Sequence, residues 1–88
     1  MSEERWIDEP VMVQARFLPD GRIVPTAFIW EGRTRYVTSV GRQWAEDGNP
    51  SMRHFLVQTA AFDTFELVLD TENLCWRLVR AWIRPATA

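Results

Sequence analysis

From Val11 the chain alternates strictly. Val11, Val13, Ala15 and Phe17 are separated by Met12, Gln14 and Arg16, the period-two pattern of a strand with one buried face. Pro19-Asp20-Gly21 follows; proline presets φ and glycine accepts positive φ, so the segment closes a hairpin. A second strand over 23–30 carries Pro25, which lacks a ladder donor and predicts an edge position or a bulge. Glu31-Gly32-Arg33 makes the next tight turn. A third strand over 34–42 places Tyr36, Thr38 and Val40 on one face and Arg35, Val37 and Ser39 on the other, with Gly41 a candidate bulge. The run AEDGNPS over 45–51 reads as the longest irregular connection in the chain. The fourth strand, 53–59, sets Phe55 and Val57 against His54, Leu56 and Gln58. After a short loop over 60–63, a fifth strand over 65–69 points Phe65, Leu67 and Leu69 inward.

The segment 74–83 fits two periods. Leu74, Cys75, Leu78, Val79, Trp82 and Ile83 form one stripe of a helix, whereas Trp76 and Leu78 alternate with Arg77 and Val79 as in a strand. Five preceding strands and a four-residue turn over 70–73 favour the strand. The expected fold is therefore all-β: a six-stranded antiparallel meander curled into a small barrel or strongly twisted sheet, since closure removes exposed edges. It forms a single domain over 10–85, preceded by a charged N-terminal arm over 1–9 in which Trp6 and Ile7 offer a tether to the body.

Eighty-eight residues leave room for one core, and 47% hydrophobic with 25% charged residues is an ordinary globular balance. Five tryptophans and five phenylalanines can supply most of that core. The lone Cys75 excludes an intramolecular disulfide and reads as a small buried hydrophobe. No basic segment followed by an apolar run opens the chain, and no apolar stretch approaches a membrane span, so a cytoplasmic protein without membrane contact is expected. All ten basic residues are arginine, and the net charge is −2, which argues against tight sequence-independent binding to nucleic acid unless the arginines cluster.

Candidate chemistry is sparse. No phosphate loop, nucleophile elbow, dinucleotide fingerprint or zinc-protease motif is present, so neither a catalytic set nor a cofactor or metal is expected. His54, the only histidine, lies off the aromatic face without a local partner and reads as structural or exposed. Glu66 and Asp70 read as a solvated strand face. Tryptophans can stack on bases, but Trp30 and Trp76 fit the core better; Trp44 stays open between the two roles. A patch joining Arg35, Arg53 and Arg77, with Trp44, would favour nucleic acid, scattered arginines paired to carboxylates would favour protein contacts, and an open apolar cavity with convergent polar groups would favour a small ligand-binding protein or enzyme.

One further expectation comes from the alternation. With Phe17, Phe28, Trp30, Tyr36, Phe55, Phe65, Leu67 and Trp76 inward, the outer face receives Ile29, Val37, Leu56, Val68 and Val79 together with Arg35, His54 and Arg77. That face is too apolar for water. Bulges that reverse the alternation, or the N-terminal arm folded across, would relieve it. The sharper expectation is a protein interface over Ile29, Val37, Leu56, Val68, Val79, Arg35 and Arg77, by default a homodimer.

The string Ala27-Phe28-Ile29-Trp30-Glu31-Gly32-Arg33-Thr34-Arg35-Tyr36-Val37, then Trp44, Arg53-His54-Phe55-Leu56-Val57, Phe65-Glu66-Leu67 and Trp76-Arg77-Leu78 resembles an uncharacterised bacterial family of small β domains. That family occurs as stand-alone proteins and, as a similar segment, at the end of catalytically inactive Y-family DNA polymerase relatives in mutagenesis cassettes. The resemblance covers about two-thirds of the chain. It implies a noncatalytic accessory or interaction module around DNA repair and carries over no catalytic residue.

Overall fold

The computed structural model describes residues 3–84; the ends of the expected arm and of the expected domain, residues 1–2 and 85, lie outside them. Six strands follow in order: β1 (Glu3–Phe17), β2 (Ile23–Trp30), β3 (Arg33–Glu46), β4 (Asn49–Thr59), β5 (Thr64–Asp70) and β6 (Cys75–Ile83). Each pairs antiparallel with the next, and β1 pairs with β6, closing the ring. The fold is the expected all-β meander, closed but uneven. The β2–β3 ladder is short, whereas β3–β4 forms a long hairpin, and the molecule measures 44 × 26 × 23 Å. The segment 75–83 is a strand, not a helix.

Closure depends on two long strands that change partner. The first half of β1 pairs with β6 from Glu3 to Val11, and the second half pairs with β2 from Met12 to Phe17. The charged opening is thus part of the barrel wall rather than an arm ahead of the domain. Likewise β3 pairs first with β2, then with β4. The expected long loop over 45–51 is also replaced: Asp47-Gly48 alone makes the turn, with Gly48 at φ 79°, and the strands run on through Glu46 and from Asn49. Polar turn formers near a hairpin tip can still pair when both strands are long enough to carry them.

The core comprises Phe28, Trp30, Phe55, Phe65, Leu67, Leu69 and Leu78, with smaller residues between them. Phe65 sits at its centre, edge-on to Phe28 at 5.0 Å and to Trp30 at 5.8 Å. Such pairs add about 0.5–1.5 kcal/mol to the burial itself. Trp76 is half-buried and packs on Phe55 at 5.4 Å.

Two expected core residues are outside: Phe17, and Tyr36 at 65% exposed. The cause for Tyr36 is the β2–β3 turn. Glu31 and Gly32 both have positive φ, 53° and 71°, as a two-residue hairpin turn requires. Trp30 therefore faces Arg33, and Phe28 faces Arg35. This register turns Arg35 and Val37 inward and Tyr36 outward, the reverse of the expected assignment. Cys75 is exposed at the start of β6, not buried.

Candidate functional site

Bulges set the outer face as well. The pairing of β5 with β6 shifts between Glu66 and Leu67, so Glu66 faces Arg80, Leu67 faces Leu78, and Val79 occupies the bulge. The pairing of β3 with β4 shifts between Val40 and Gln43, around Gly41, and brings Trp44 opposite His54. On the other flank, Arg80 faces Trp6 of β1. One outward row thus crosses five strands: Trp44 on β3, His54 on β4, Glu66 on β5, Arg80 on β6 and Trp6 on β1. At about 4.8 Å between strands it spans roughly 19 Å.

Its polar groups are linked end to end. His54 Nδ1 lies 2.9 Å from Glu66 Oε2 and its Nε2 lies 3.0 Å from Glu46 Oε1. Arg80 donates through Nε and Nη2 to Glu66 Oε1 at 3.0 and 2.7 Å, and through Nη1 to Glu4 at 3.3 Å. The hydrogen bonds to Glu66 hold the Arg80 guanidinium above its ordinary pKa. Carboxylates only accept, so both contacts of His54 are complete as hydrogen bonds when the ring is an imidazolium; a neutral ring donates through one nitrogen. Glu66, expected on a solvated surface, is 3% exposed.

Tryptophans frame the row. Trp44 stacks on His54 at 5.0 Å with 12° between the rings, and Arg42 lies 5.0 Å from the Trp44 ring. Arg80 lies 5.1 Å from Trp82 and 5.7 Å from Trp6, which is 71% exposed. A cavity of about 460 Å³ opens over Arg42, Trp44, Glu46, His54, Glu66 and Arg80. Chemically, each ring nitrogen of His54 faces a carboxylate, Glu66 or Glu46, so the ring is held between two acceptors. The arrangement sets fixed groups of opposite polarity between flat aromatic faces.

The residues expected to form an interface do not all share a face, although Leu56, Val68 and Arg77 lie together on the outer side of β4, β5 and β6. Val37 packs against the core, Arg35 points into the barrel, and Val68 is buried between its cross-strand neighbours His54 and Arg77. Val79 sits in the β6 bulge, and Leu56 lies half-buried opposite Glu66. Ile29 belongs to a different outer surface, beside Met12 and close to Tyr36.

Nor do Arg35, Arg53 and Arg77 make a patch. Arg35 lies over Trp30 at 4.6 Å, near the end where β5 begins. Arg53 occupies the inward row opposite Leu69, near the end where β5 finishes. Arg77 faces outward, tied to Asp8 by its side chain at 2.9 Å and its carbonyl at 2.8 Å. Among the described residues no cluster of metal-binding side chains occurs, and no helix is long and apolar enough to cross a membrane. Compared with protein-family models, curated proteins and solved structures, the chain finds no match.

Proposed function

We propose that the chain is a noncatalytic interaction module that holds another protein against the tryptophan-framed row from Trp44 to Trp6. The observation that carries this reading is Glu66, a carboxylate buried on the outside of the barrel with both oxygens taken by His54 and Arg80. Burying such a group is a poor way to gain stability, because apolar residues of similar volume serve equally well or better. A preorganised constellation flanked by an exposed tryptophan fits recognition instead. The arginines support a protein partner over nucleic acid. Arg22, Arg35, Arg77 and Arg80 are each paired to Asp or Glu, and the net charge is −2.

The test is affinity capture with the wild-type chain and with Trp6→Ala, whose side chain is too exposed to matter for folding, followed by calorimetry on the purified captured protein. Direct binding by the wild type that weakens at least tenfold in the variant is expected. Equal binding by both proteins would overturn the assignment of the face.

A homodimer is supported separately by the opposite surface, where Met12, Ile29 and Tyr36 are all exposed. Light scattering at micromolar concentration should then give twice the monomer mass, and Ile29→Glu should return the monomer. A wild-type monomer contradicts this second reading.

A further inference from the structure

At the end of the barrel away from the β3–β4 tip, a cleft of about 150 Å³ lies between the start of β3 and the loop after β4. Arg33, Thr34, Arg35 and Tyr36 form one wall, and Thr59 with Ala60 and Ala61 forms the other. No carboxylate lines it. Of its side chains, Arg33 and Arg35 carry guanidinium groups and Thr59 across the cleft a hydroxyl, all able to donate a hydrogen bond, whereas Thr34 and Tyr36 alternate onto the opposite face of β3. Arg33 and Arg35 are two residues apart on a strand and therefore share a face.

Arg35 is held in place but poorly satisfied. Its guanidinium lies 4.6 Å from the Trp30 ring and 5.6 Å from the Phe65 ring, which fixes the side chain before any ligand arrives. Of the five N–H donors a guanidinium offers, only Nη2 has a protein acceptor among the described residues, Glu31 at a long 3.4 Å. Nε is sealed from solvent without a partner. Burial first, and then the neighbouring charge of Arg33, lower the Arg35 pKa from its ordinary value, and the nearby carboxylates of Glu31 and Asp63 offset this only in part. The opposite wall is equally fixed: Ala60 N–H donates to the Tyr36 carbonyl at 3.2 Å, and Phe62 N–H to that of Thr59 at 2.9 Å.

We propose that this cleft is a site for a phosphate group, free or as a monoester, clamped between Arg33 and Arg35. A doubly charged tetrahedral anion can engage two guanidinium groups and the Thr59 hydroxyl from several directions; a planar carboxylate fills one fork. Bound there, it offsets the repulsion between the two arginines. This site is independent of the tryptophan-framed row and stands or falls separately.

Thermal unfolding tests it, with sodium phosphate, phenyl phosphate and sodium chloride compared at equal ionic strength. At a ligand concentration tenfold above Kd, the melting temperature should rise by roughly 5–10 °C beyond the chloride control. Arg33→Gln, a change at the exposed end of a turn, should abolish the rise while leaving the fold intact. A response to both phosphates assigns the group irrespective of its carrier. A response to only one identifies the carrier as free ion or ester. In parallel, the Arg35 Nε–H resonance should move during the titration. A rise no greater than that in chloride, or one that persists in Arg33→Gln, overturns the proposal.

Discussion

At Glu66 the barrel holds a carboxylate on its outer surface and yet hides it from water. The residues that hide it, His54 and Arg80, each hold one of its oxygens, and truncation would leave His54 with Glu46 and Arg80 with Glu4. Glu66→Ala should therefore destabilise the protein by about 1.5–3 kcal/mol, as loss of hydrogen bonds to a charged group does; urea denaturation measures it. A loss below about 1 kcal/mol would mean that solvent screens the network. None of this was legible along the strand, where Phe65, Leu67 and Leu69 alternate with Glu66 and Val68 as if the latter faced water. The partners lie 12 and 14 residues away, and only the register brings them together. His54 was placed correctly, off the aromatic face, but its partners were invisible for the same reason.

Turns decide what each element presents. The β5–β6 turn is organised by Asp70, whose carboxylate accepts from the backbone N–H groups of Glu72 and Asn73 and from the Asn73 side chain. The Asn73 bonds are the main cause of a folded-state pKa below the ordinary aspartate value. Between the folded value and the ordinary one, the unfolded chain binds more protons, so stability rises with pH across that window. The contribution of Asp70 is complete above the ordinary aspartate range near about 3.9 and is lost as pH falls through the folded value. Stability followed from pH 6 to pH 2 should show this acid-side loss in the wild type and less of it in Asp70→Asn. Equal pH dependence in the two proteins contradicts it.

Turn chemistry also explains where the elements were readable. Pro19-Asp20-Gly21 and the bulges at Thr26, beside Pro25, and at Gly41 stand where the residues place them. Reading Glu31-Gly32-Arg33 as the turn, instead of Glu31-Gly32 alone, shifted β3 by one residue. That single step exchanged Tyr36 for Arg35 on the inner face. The two-residue I′ preference for a glycine in second position was the signal that could have fixed it.

For the whole molecule, closure follows from β1 and β3 each serving two neighbours, and it places five tryptophans in distinct surroundings. Trp30 is inside, its indole N–H donating to Glu9 at 3.0 Å, and Trp76 packs on the core. Trp6, Trp44 and Trp82 belong to the outer row. Fold class was legible because antiparallel alternation and turns are local. The tryptophan-framed row was not, because it is assembled across five strands. The five indole N–H resonances therefore test the central claim most directly. On titration with the captured partner, those of Trp6, Trp44 and Trp82 should shift while those of Trp30 and Trp76 stay in place. Shifts confined to Trp30 and Trp76, or no indole shift in a saturated complex, would contradict recognition through this face.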